Sequence, residues 1–177
     1  VLSSTGRPIP NVVDLAELQS IARRVEARDE MSNDDLRQIA GAGGSLGGAR
    51  PKATVEDEDG LWIAKFSSEG DRTPVERIEI ATLELARACG LKTPEFQLML
   101  ANTGSPVALV RRFDRRGGRR IPFISARTAV ERAGSEAGSY TEIADAIRHL
   151  GRKPAADLSE LYDRMMFTVL VTNTDDH

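Results

Sequence analysis

The chain has 177 residues, 40% hydrophobic and 29% charged, with a formal net charge of −3. That balance suits one soluble domain or two small lobes with a real core, and it excludes a global pull toward nucleic acid or an anionic membrane. The one cysteine, Cys89, excludes an internal disulfide and a Cys-based zinc site, which fits a reducing cytoplasm. No apolar run approaches the ~18 residues of a membrane span and no signal-peptide core stands at the amino end, so a soluble cytoplasmic protein is expected.

Residues 1–13 hold Gly6, Pro8 and Pro10 and read as a loop or frayed end. Asp14 opens a helix, with Glu17 three residues on and Leu15, Leu18, Ile21 and Val25 at helical spacing. Ser32 and Asp35 start a second short helix that ends near Ala40. The segment 41–52 has five glycines in twelve positions, and strand patterns follow it at once. Strands are predicted at Ala53–Glu56 and Leu61–Phe66, joined as a hairpin through Asp57–Gly60. Thr73 caps the next helix, Pro74 takes its first position and Glu76 completes a capping box. It runs to about Cys89, read as a small core residue, and Gly90 stops it. Strands at Phe96–Ala101 and Val107–Phe113 flank a turn at 102–106. The cluster Arg111, Arg112, Arg115, Arg116, Arg119 and Arg120 reads as a solvated hairpin tip, with a phosphate or acidic-partner contact as the alternative. Helices follow near 125–133, 140–150 (Ser139 and Glu142 as capping box, Gly151 as stop) and 157–172. A strand-rich half, 41–124, thus precedes a helix-rich one.

Three segments carry candidate chemistry. The glycine-rich loop fits neither the Walker pattern nor G-x-G-x-x-G, but its glycines let backbone N–H groups approach phosphate oxygens. Ser45 adds a hydroxyl there, and Arg50 and Lys52 add positive charge. On the second strand Leu61, Ile63 and Lys65 share one face, and Trp62, Ala64 and Phe66 the other. A lysine among apolar neighbours is costly to bury unless an anion meets it; Glu76, Glu79 and Glu84 on the following helix are the candidates, Glu79 foremost because the cap occupies Glu76. Without such a partner Lys65 would simply snorkel to solvent. Last, Asn173-Thr174-Asp175-Asp176-His177 closes an apolar run, Leu161 to Val171, read as a buried helix end. Asp175 and Asp176 suit a general base and a metal ligand with His177 orienting them, or else a solvated tail.

Four blocks in order resemble the HipA family of bacterial serine/threonine kinases: Ser45–Ala53 its glycine-rich loop, Trp62–Phe66 with Glu79 and Leu85–Leu91 its lysine strand and helix, Val110–Arg115 the segment joining its lobes, and Asn173–His177 the opening of its catalytic loop. The resemblance implies an α+β, two-lobed protein-kinase-like fold: a helical remnant of an amino-terminal subdomain at 1–40, a strand-rich nucleotide-binding lobe at 41–124, and the start of a helical catalytic lobe at 125–177. It implies ATP and Mg2+ as cofactors. Ser45, Gly47, Gly48 and Ala49 would lie over the nucleotide, Lys65 would pair with its phosphates and Glu79 would hold Lys65. Backbone groups of Arg111 and Phe113 would meet adenine, Asp114 would lie near the ribose, and His177 would border the nucleotide site. Asp175 would be the catalytic base and Ser45 the autophosphorylated residue, whose phosphate would eject the loop and silence the kinase. Family members continue past this His to an Asn and a later Asp that ligate magnesium; the chain ends at His177, so it reads as truncated. The implied protein is the toxin of a type II toxin–antitoxin pair, with a Ser/Thr-bearing protein substrate and a HipB-like DNA-binding antitoxin as partners, and no direct nucleic-acid contact of its own. The alternative is a non-catalytic nucleotide- or partner-binding module, a pseudokinase.

Overall fold

A computed structural model describes residues 14–27, 50–68, 70–117, 119–131 and 138–173. The short helix expected from Ser32 to Ala40 lies outside them. In chain order the elements are α1 (Leu15–Ala27), β1 (Lys52–Asp57), β2 (Gly60–Phe66), α2 (Val75–Ala88), β3 (Phe96–Met99), β4 (Val107–Arg111), β5 (Arg115–Arg116), β6 (Arg119–Arg120), α3 (Ala126–Ala129), α4 (Tyr140–Leu150) and α5 (Pro154–Leu170). Two compact units emerge, Val1–Glu84 with Pro94–Ile121, and Leu85–Thr93 with Pro122–His177. None of the described helices is long and apolar enough to cross a membrane.

The first unit is built on an antiparallel sheet of order β1-β2-β4-β3. Alternation along β2 sends Trp62 (2% exposed), Ala64 (0%) and Phe66 (0%) to one face. There they meet Val55, Val107 and Leu109 from neighbouring strands and the apolar stripe Leu15, Leu18 and Ala22 of α1. Burying side chains of this size contributes roughly 1.5–3 kcal/mol each, so this face holds the unit together. The β1–β2 hairpin turns through Glu58 and Asp59, not through the Asp-Gly pair itself; Gly60 opens β2 at φ +136°. Asp57 organises the turn, its carboxylate accepting from the Asp59 and Gly60 amides at 3.0 Å and from Trp62 Nε1 at 2.7 Å.

Helix α2 departs from expectation at its start. Glu76 makes no capping box with Thr73; it is 3% exposed and accepts from Ser67 Oγ at 3.0 Å. Its end is as expected. Gly90 takes φ +84°, letting its own N–H reach the Arg87 carbonyl and that of Leu91 reach Ala86, both at 3.0 Å, which satisfies the last carbonyls of the helix. Cys89 is exposed, against the expectation of a core position.

In the second unit Ser139 and Glu142 form the expected capping box on α4. Gly151 ends that helix for want of space: a Cβ there would fall 2.5 Å from the Ile147 carbonyl. Helix α5 begins earlier than predicted, with Pro154 in its first turn. Glu160 on α5 accepts from Lys92 and from Arg164 (2.8 Å), tying the 85–93 segment to the helix. The apolar run expected to be a buried helix end is not buried: α5 has no buried residue, with Val169 65% and Leu170 75% exposed.

Phe66→Ala should lower stability by about 3–5 kcal/mol in urea denaturation, and Ile63→Ala on the opposite face by much less. Equal losses would show that the two faces are not distinct.

Candidate functional site

Of the candidate residues, Lys65 lies on the face of the sheet opposite the core. Its Nζ donates to Glu79 on α2; the two side chains are 39% and 27% exposed. Across the strands Lys65 stands directly opposite Lys52. Like charges facing across a ladder repel, and Glu79 answers one of them, while Lys52 has no ion-pair partner among the described residues. Between the charges and Arg111 the floor is apolar, with Ile63 opposite Val110. Lys65 pairs with Ala108 and Trp62 with Arg111, so Lys65 and Arg111 lie about 10 Å apart along the strands.

At the end of β4, the Arg111 N–H donates to the Glu95 carbonyl at 2.8 Å and is spent on the sheet. Its guanidinium stacks over Trp62, 5.3 Å from the ring centroid, and pairs with Glu95 at 2.9 Å. Phe113 is 67% exposed. Asp114 is 8% exposed and takes both Nε and Nη2 of Arg112 at 2.8 Å as well as Nη1 of Arg115. The Arg112 hydrogen bonds, helped by the charges of Arg112 and Arg115, hold its carboxyl down at about 2 despite burial. A carboxylate has about four acceptor positions; Arg112 and Arg115 fill three, and the backbone N–H of Asp114 also donates to it.

Arg50, expected to add charge to the glycine-rich loop, is turned away to Asp71 in a two-pronged ion pair, with Glu76 at 3.5 Å. Its hydrogen bonds hold the Asp71 carboxyl below its usual range. Nothing in the sequence pairs residues 21 positions apart. The Arg112–Asp114–Arg115 cluster, by contrast, is local enough to have been read from spacing. Ser45, Gly47, Gly48, Ala49, Asp175 and His177 lie outside the described residues.

Residues 44–177 match the HipA-like C-terminal domain, and the chain belongs to that family. The fold is similar to a chain from the Shewanella oneidensis MR-1 toxin–antitoxin complex of HipA, HipB and operator DNA, at TM-score 0.55 and 19% identity. The match covers 75% of this chain and 38% of that one, so this chain spans well under half of its structural neighbour. No curated protein matches the sequence.

Because the folded carboxyl of Asp114 titrates near 2 and an unfolded one near 3.8, its contribution is full above about pH 4 and is lost as pH falls toward 2. Asp114→Asn should cost about 2 kcal/mol near neutrality and flatten the acid limb of the stability curve. An unchanged acid limb in urea melts would refute this.

Proposed function

We propose that this chain carries the nucleotide-binding lobe and the opening of the catalytic loop of an ATP-dependent serine/threonine kinase of HipA type, the toxin of a toxin–antitoxin pair. Family membership over 44–177 supports the class. The observation that carries the reading is the Lys65–Glu79 pair, set opposite Lys52 on the open face. Two lysines facing each other suit a polyphosphate, which answers both charges. Being partly exposed, the ion pair adds little to stability; its value is to hold the ammonium extended, as kinases hold theirs.

In this reading ATP supplies the phosphoryl group to be transferred. Its base lies on Ile63 and Val110 and meets the chain at Phe113 and the Arg111 carbonyl, the Arg111 N–H being committed. Asp114 lies near the ribose. Gly47, Gly48 and Ala49 cover the phosphates and Lys65 grips them, while His177 borders the same site. Asp175 takes the proton from the attacking hydroxyl of the substrate protein, or from Ser45 when the loop itself is the acceptor; the O–P bond then forms as ADP leaves. Among the described residues no cluster of three or more His, Cys, Asp or Glu could hold a metal ion. The two-lobed division at about 124 belongs to the same proposal. So does a HipB-like partner, supported by the HipB present in the neighbour's complex.

Incubation with radiolabelled ATP should place label on Ser45, and Lys65→Ala and Asp175→Asn should each reduce it by about a hundredfold or more, with Lys65→Ala shifting the melting temperature only slightly. ATP binding without label would place the protein with the non-catalytic alternative. Neither binding nor label would refute the proposal.

A further inference from the structure

A cavity in the first unit lies away from Lys65. It has a volume of about 520 Å³ and sits where the β2–α2 connection meets the β3–β4 turn and α1. Arg23, Arg72 and Arg77 all line it, with Thr73 and Ser105 among its hydroxyls. Two carboxylates also line it: Asp71 pairs with Arg50 (2.8 Å) and accepts from the Ser68 amide (2.9 Å), and Glu76 accepts from Ser67 Oγ and lies 3.5 Å from Arg50. With Arg50 beside both carboxylates, the arginines outnumber them and leave the cavity net positive.

These arginines are tethered but not neutralised. Arg23 donates one N–H to Ser105 Oγ, and Arg77 one to the Ala101 carbonyl. A guanidinium has five N–H donors in a fixed fork, so most of each fork is left over. Arg72 makes no hydrogen bond or ion pair among the described residues. Three guanidiniums around one cavity repel each other, and an anion removes that cost. Arginine forks match phosphate oxygens in geometry and charge. The volume lies within the range of small-molecule sites, well above the ~30 Å³ of a single water.

We propose that this cavity binds a phosphate monoester of a small polyhydroxylated molecule, the dianion held by Arg23, Arg72 and Arg77 and the hydroxyl-bearing part by Ser105 and Thr73. It is a site separate from the nucleotide face, since Lys65 does not line it. Isothermal titration of the whole chain with glycerol 3-phosphate, inorganic phosphate and glycerol tests it. Glycerol 3-phosphate should bind saturably at one site, inorganic phosphate more weakly and glycerol not at all. Arg72→Gln, which breaks no hydrogen bond or ion pair among the described residues, should weaken glycerol 3-phosphate at least tenfold with an unchanged melting temperature, Arg72→Glu should abolish binding, and Lys65→Ala should leave it intact. Absence of saturable binding, full affinity in Arg72→Gln, or loss in Lys65→Ala would overturn the proposal. Equal affinity for inorganic phosphate would overturn the polyhydroxylated part.

Discussion

Strand β2 must present two opposite chemistries on alternate residues, and the rest of the first unit is arranged around that constraint. Trp62, Ala64 and Phe66 need a dry face, which β1, β4 and α1 supply. The same period of two puts Lys65 on the other side, where only a carboxylate from outside the sheet can meet it. Helix α2 brings Glu79 there. The core thus fixes the direction of the lysine, and the ion pair fixes its reach.

Charges elsewhere in the unit are settled by the same rule, that a buried carboxylate must be met by hydrogen-bonded cations. Asp114 gathers Arg112 and Arg115 at the end of β4, and Ile121 N–H donates to its carbonyl at 3.0 Å, closing the β5–β6 hairpin over it. Asp71 gathers Arg50 and organises the β2–α2 connection. Each network converts a polar loop into a fixed element beside a candidate binding surface.

Much of this was legible in the sequence because it follows from period and turn chemistry. The alternation over Leu61–Phe66, the Gly90 stop and the Ser139–Glu142 cap depend on residues within a few positions of one another, and each appears in the structure. Choosing Glu79 over Glu76 as the partner of Lys65 was also possible from spacing, although the reason differed: Glu76 is held by Ser67 and Arg50, not by a capping box. What escaped were matters of tertiary distance. Arg50 binding Asp71 and the exposure of α5 and Cys89 depend on which elements meet, and local pattern is silent on that. The arginine-rich tip is a short hairpin with Arg115 opposite Arg120 and Arg116 opposite Arg119, a solvated tip in three of its four residues.

Family membership sets the expected chemistry, and in the proposed reading the Lys65–Glu79 pair carries it. If that pair exists to grip a nucleotide, the two residues must act as one unit toward ATP. The direct measurement is ATP affinity across a double-mutant cycle of Lys65→Ala, Glu79→Gln and both together. The account predicts that each single change weakens ATP and that the double mutant is scarcely weaker than Lys65→Ala alone. Affinity unchanged in Lys65→Ala, or strictly additive losses in the double mutant, would contradict it.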